Sequence, residues 1–404
     1  MSLIQISKKD AGGGVSPLRQ VLSITVIDKF FLIGAAAGLF GSLVLGIYVW
    51  FMRAGIFTVD GRYHSIRWLH AFTQFYLFMT PFILGFLIQS APKLFETGKA
   101  LPKAVHLILP VTICAAVISL LAPDMILGPV LISICCWGLA LGFLPNFLSS
   151  AAIVKLRFGT PVIVGLLSLG AGVFLDLGVP INALLLFWQG IVSIILATGQ
   201  QFLAGVLGGR RATPKACGSM LVLFAACAAA IVGIKNGWEG FDKAAAILAS
   251  LTLLTFLYST AAWSLLTRLK QPLALAFFYA HIWALIGAAM LWNTWNADAA
   301  LHAWGIGFAF TLIIGVSLRL IEWLTDKSPL AGPAALILLS LWQFVASVRT
   351  FDSLYGFSHE VLWIGASAAL IVLASWASSL ATCAFPLIYK QAKILLRTTA
   401  KQRA

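Results

Sequence analysis

The chain is 404 residues long, 61% hydrophobic and only 10% charged, with a net charge of +14. A water-soluble domain has no means of hiding that much apolar surface, so soluble classes are excluded and an integral membrane protein is left. The positive charge does not point to nucleic acid, because Lys and Arg lie in short segments between apolar runs, as orientation signals do.

In chain order, residues 1–29 are polar, carry no cleavable leader pattern and read as a cytoplasmic N-terminal tail. Apolar windows of about 18 residues or more then predict about twelve spans. Their limits are 30–52, 68–90, 104–122, 125–146, 160–178, 181–207, 217–234, 244–267, 272–293, 299–321, 329–348 and 360–385. Ala122-Pro123-Asp124 divides the third span from the fourth, and Gly178-Val179-Pro180 divides the fifth from the sixth, because Pro and Gly break helices. The fold class predicted is an all-α polytopic membrane helical bundle over 30–385, followed by a basic cytoplasmic tail, 386–404. On alternate sides, one set of loops holds six basic residues: Arg53, Arg62, Arg67, Lys235, Lys243 and Arg349. The other set, with both tails, holds the rest of the 27, which puts both termini in the cytoplasm. The six cysteines show no CxxC spacing and read as small packing residues rather than a zinc site or a disulfide framework.

That topology turns histidines into depths. His70 falls near the outer end of span 2, His302 near the outer end of span 10, and His281 near the middle of span 9. His64 and His359 fall at outer loops or helix mouths, and His106 near the inner end of span 3. Neutral imidazole is a ligand for haem iron and for copper, and ionisable residues inside a membrane mark function more often than they do in water. The functional expectation is that His70, His281 and His302 converge on one buried metal centre in the outer half of the bilayer. The plainer expectation is that each imidazole hydrogen-bonds at a helix interface. Gly305, Gly307 and Gly315 would let a flat macrocycle approach span 10, or simply a neighbouring helix. Pro81, eleven residues after His70, predicts a kink that opens space beside span 2. Asp176 is among the few charges within a span. Cys135-Cys136 could hold a soft metal, but adjacent helical residues diverge by about 100°.

The stretch His302-Ala303, Gly307, Thr311 and Arg319, at offsets of five, nine and seventeen from the histidine, resembles a helix of the NnrS family. His302 and Arg319 are then roughly 26 Å apart, close to a bilayer core. Tyr279-Ala280-His281-Ile282-Trp283 resembles the family's preceding histidine helix. Trp68-Leu69-His70 with Gly85-Phe86-Leu87-Ile88-Gln89-Ser90-Ala91-Pro92 is similar to its second span, and Lys29-Phe30-Phe31-Leu32 to its opening. The resemblance implies a multi-pass protein of a bacterial inner membrane that binds haem, with copper as a further candidate. It also implies a role in the response to nitric oxide or nitrosative stress, with nitric oxide or a nitrosyl-iron species as partner and His70, His281 and His302 as the surviving ligand positions. Phe72 and Thr73 stand where the family has a second histidine and a glutamate, which weakens the case for a separate copper site. Two other functions compete on the same sequence. Twelve spans suit a secondary transporter, with Asp176, Gln200 or Gln201 along a path. A haem–copper-oxidase-like subunit would need a histidine pair on one helix, and no span holds two. Binding and turnover are both open at this point.

Overall fold

The computed structural model describes residues 45–53, 55, 62–97, 101, 105–122, 125–292, 296–325, 330 and 332–403. The predicted N-terminal tail and most of the first predicted span lie outside the described residues. In chain order the helices are α1 (Ile47–Arg53), α2 (Tyr63–Phe72, Thr73–Met79 and Thr80–Leu94, continuous), α3 (Val105–Leu121) and α4 (Leu127–Ser149). Then come α5 (Ala152–Gly172), α6 (Pro180–Gly205), α7 (Pro214–Lys235), α8 (Phe241–Ser259) and α9 (Pro272–Met290). The last three are α10 (Ala297–His302, Ala303–Phe310 and Thr311–Thr325, continuous), α11 (Gly332–Tyr355) and α12 (His359–Arg403). Ten of these are long and apolar enough to cross a membrane, and no strand occurs among the described residues. In lipid a backbone must satisfy its own hydrogen bonds, and apolar runs of this length do so as helices. The protein is an all-α polytopic membrane bundle.

Three local differences from the sequence expectation stand out, the first two of them with a physical reason. The fifth helix starts at Ala152 rather than near residue 160, because Arg157 finds an acceptor inside the protein: its Nε and Nη2 donate to the Ala212 carbonyl at 3.2 and 2.7 Å. A hydropathy window cannot see such a partner. The eighth predicted span, 244–267, reads as one run, yet α8 stops at Ser259. Ala261 takes a left-handed φ of 54°, and Ala262–Arg268 continues as a 3-10 helix. Beyond the twelfth predicted span, α12 continues as helix to Arg403.

Sequential neighbours pack as hairpins, α3 on α4, α7 on α8, α9 on α10 and α11 on α12. Two faces follow from the charges. Arg67, Asp298 and Arg349 meet at one end of the bundle, while Arg157, Arg210, Arg211 and Arg268 make their contacts at the other, with Ala212, Ser259, Glu96 and Val206. That separation agrees with the alternation of basic loops along the sequence.

The centre belongs to three helices. In α2, α6 and α10 the apolar windows are 78%, 72% and 67% buried, against 33–61% for the other helices long enough to cross. Each of these three switches to π-helical bonding partway along, at Thr73–Met79, Phe187–Val192 and Ala303–Phe310. The π segment of α2 ends where Pro81 would otherwise collide with the preceding turn, and the Thr80 N–H reaches back to the Phe75 carbonyl.

Glycines set the α9–α10 contact. A Cβ at Gly307 would overlap the Trp283 ring, one at Gly287 the Trp304 ring, and one at Gly315 the Ala276 methyl. Two of the three glycines singled out on span 10 therefore serve helix packing. Gly305 differs: a Cβ there meets nothing. Gly307→Val is expected to destabilise by about 1–3 kcal/mol through overpacking, and Gly305→Ala to leave stability unchanged. Thermal unfolding of the two variants in one detergent checks the contrast, and equal midpoints would contradict it.

Candidate functional site

On α2, a helical turn separates Arg67 from His70, so both side chains share a face. On α10, Asp298 and His302 are four residues apart and share a face for the same reason. These two faces meet α11, which contributes Arg349, and enclose a half-open cavity of about 150 Å³. His70 and His302 both line it, as do Arg67, Asp298 and Arg349, and the remaining wall is mainly apolar and aromatic, including Phe75, Phe187, Phe310 and Trp342.

His302 is oriented from behind. Its Nδ1 lies 2.7 Å from the carbonyl oxygen of Asp298. A carbonyl only accepts, so Nδ1 carries the proton and the Nε2 lone pair is left for a ligand. Asp298 in turn is held at both carboxylate oxygens. Arg67 Nη2 donates to Oδ1 at 2.8 Å, while Arg349 Nη2 and Ser353 Oγ donate to Oδ2 at 3.3 and 2.8 Å. Arg349 Nη1 also donates to Ser353 Oγ at 2.7 Å. The side chains of Asp298 and Arg349 are 19% and 9% exposed, so this ion cluster is part of the protein interior. Buried charges of this kind persist only when paired and hydrogen-bonded. Gly46 of the first span makes room on the other side: a Cβ there would sit 2.9 Å from His70 Cε1.

His281 lies elsewhere. It is buried on α9 with its ring stacked on Phe256, tilted against Phe277 and edge-on to Phe308. Its Nδ1 lies 2.5 Å from the Phe277 carbonyl. It does not line the cavity that His70 and His302 share. The expected convergence of three imidazoles is therefore a meeting of two, because aromatic packing occupies the face of α9 that carries the third. Among the described residues no group of three or more His, Cys, Asp or Glu is gathered as a metal site, and Cys135 and Cys136 are simply buried in α4.

The other histidines fall at the margins. His64, in the first turn of α2, has Nε2 3.4 Å from Asp176 Oδ2, with both side chains about half-exposed. Asp176 is thus a partner at the bundle end, not a station inside it. His359 begins α12 near Gly55. The side chain of His106 lies outside the described residues. Gln200 and Gln201 are buried toward the opposite end, where Gln200 Oε1 accepts from the Ala212 N–H.

Sequence reasoning treated Arg67 and Arg349 as orientation charges and did not single out Asp298. A signal was available: each cavity histidine has a charged residue one helical turn away on its own helix. The π segments that follow His70 and His302 had no such signal, and π segments recur at functional sites.

A family model described as NnrS protein matches residues 29–387 of the chain. No curated protein matches it.

Proposed function

This chain belongs to the NnrS family, and on that premise we propose that it is a haem-binding protein of a bacterial inner membrane acting in the response to nitric oxide, with His70 and His302 as the haem ligands. The observation that carries the reading is that imidazoles from two distant helices line one aromatic-walled cavity. Haem held by both imidazoles would supply a redox-active iron centre, and it would take a diatomic ligand such as nitric oxide only where one imidazole gives up its position.

The residues present fit such a group in donor chemistry. His70 and His302 would be the residues to hold haem iron, since neutral imidazole is a suitable donor to it, and flat aromatic walls suit a macrocycle. Room is the tighter constraint. At about 150 Å³ the cavity is below the roughly 300 Å³ where small-molecule sites begin, so seating a macrocycle requires its walls to move apart. Gly46 and Gly305 leave that space unblocked by side chains.

The chain's own contribution is positioning. The Asp298 carbonyl fixes the His302 tautomer, and the two arginines fix Asp298, which is the outer-shell support that metal-ligating histidines usually have. Phe75, Phe187, Phe310 and Trp342 keep water from the inner wall. Copper is the less favoured metal in this reading, since Phe72 and Thr73 occupy the positions a further ligand pair would need.

Optical and metal analysis of the purified full-length protein tests the proposal. The expected result is a Soret band and about one haem per chain. A protein that stays without a Soret band after incubation with haemin contradicts it. Copper measured in the same samples at stoichiometric level, with no haem, would instead make the cavity a copper site.

A further inference from the structure

The charged end of the cavity has a use beyond holding His302. We propose that it is a subsite for a planar carboxylate, gripped by the Arg67 guanidinium and the indole N–H of Trp50; this rests on the cavity being the cofactor site. The carboxylate comes either from the side-chain acids of the macrocycle or from a free small acid.

Trp50 supplies the first observation. It lines the cavity, is 5% exposed, and its Nε1–H has no hydrogen-bond acceptor among the described residues. A buried N–H left without an acceptor forfeits its hydration for nothing, and such groups are rare in folded proteins. A ligand acceptor at this wall would complete it.

Arg67 supplies the second, independent of the first. Its hydrogen bond among the described residues is the one from Nη2 to Asp298. The other edge of the guanidinium remains available, and a guanidinium edge is shaped for two parallel bonds to a carboxylate. Asp298 cannot itself be displaced as the recognised acid, since its oxygens are taken by Arg67, Arg349 and Ser353. It aims Arg67. With two guanidinium groups and one carboxylate among the residues lining the cavity, the field there favours an incoming anion.

Placement agrees with a cofactor acid. Arg67 precedes His70 by three residues, so it sits about 4.5 Å along the helix axis toward the bundle end. Phe310 and Trp342 line the same cavity and supply apolar wall.

The test compares haemin with haemin dimethyl ester, which lacks the two free acids, by absorbance titration of the purified full-length protein and its Arg67→Gln and Trp50→Phe variants. The wild type is expected to bind haemin about tenfold or more tightly than the ester, the loss of charge-assisted bonds. Arg67→Gln should abolish that preference and Trp50→Phe reduce it, the readout being the ratio of haemin to ester affinity within each variant, so that any loss shared by both porphyrins through Asp298 cancels. Equal wild-type affinity for acid and ester, with a normal Soret band, overturns the cofactor-acid subsite and leaves the haem reading intact. If neither porphyrin binds, the haem reading fails. The subsite is then decided by acetate: a rise in thermal midpoint lost in Arg67→Gln supports a free-acid site, and no rise overturns it.

Discussion

Asp298→Ala is expected to be the most damaging single substitution at the site, lowering stability by about 3–5 kcal/mol. The reason is not the loss of an attraction alone. Arg67 and Arg349 would remain in the bundle without the carboxylate that now meets both, and Arg349 is 9% exposed. Removing one partner of a buried ion cluster strands the others, whereas removing matched partners together costs far less. The double variant Asp298→Ala with Arg349→Leu should therefore be more stable than the sum of the single changes predicts, a coupling of about 0.5–3 kcal/mol. Asp298→Asn keeps the shape and one acceptor and should fall between wild type and alanine. Thermal unfolding in a fixed detergent measures all of these. An Asp298→Ala midpoint equal to that of the wild type would show that the arginines find their compensation elsewhere.

The second large effect separates the three histidines. His70→Ala and His302→Ala should each reduce haem retention by about 10–100-fold or more, since the proposal makes each a ligand in the shared cavity. His281→Phe should leave haem content unchanged. Its ring already sits in an aromatic cluster with Phe256, Phe277 and Phe308, and a phenyl group continues that packing with the loss of one local bond to the Phe277 carbonyl. Absorbance per chain after purification, or after haemin reconstitution, reads the contrast. Loss of haem in His281→Phe with retention in His302→Ala would move the ligand role to α9.

Hydropathy carried most of the architecture. Each predicted span from the second to the twelfth has a helix in the structure, because an apolar run in lipid has few alternatives to a helix. What it could not carry were events that depend on partners. The start of α5 depends on the Ala212 carbonyl that receives Arg157, and the end of α8 on the left-handed turn at Ala261. The site was legible to a similar degree. Depth put His70 and His302 near the outer helix ends and His281 deeper, yet the expectation grouped all three, because depth does not say which way a ring faces across a helix. Asp298 was hidden because a carboxylate at a helix mouth looks like a loop residue until Arg67 and Arg349, more than two hundred and some fifty residues away in sequence, close on it. The π segments were hidden for a different reason: Ala303–Phe310 and Thr73–Met79 have ordinary apolar sequences.

The central claim is that imidazoles of α2 and α10 face one another across a single cavity. Electron paramagnetic resonance of the ferric haem-loaded protein tests it most directly. The account predicts a low-spin signal of bis-imidazole type that is lost in both His70→Gly and His302→Gly and returns in each when free imidazole is added to fill the vacated position. A low-spin signal that survives either substitution, or a wild-type signal from a single imidazole ligand, would contradict it.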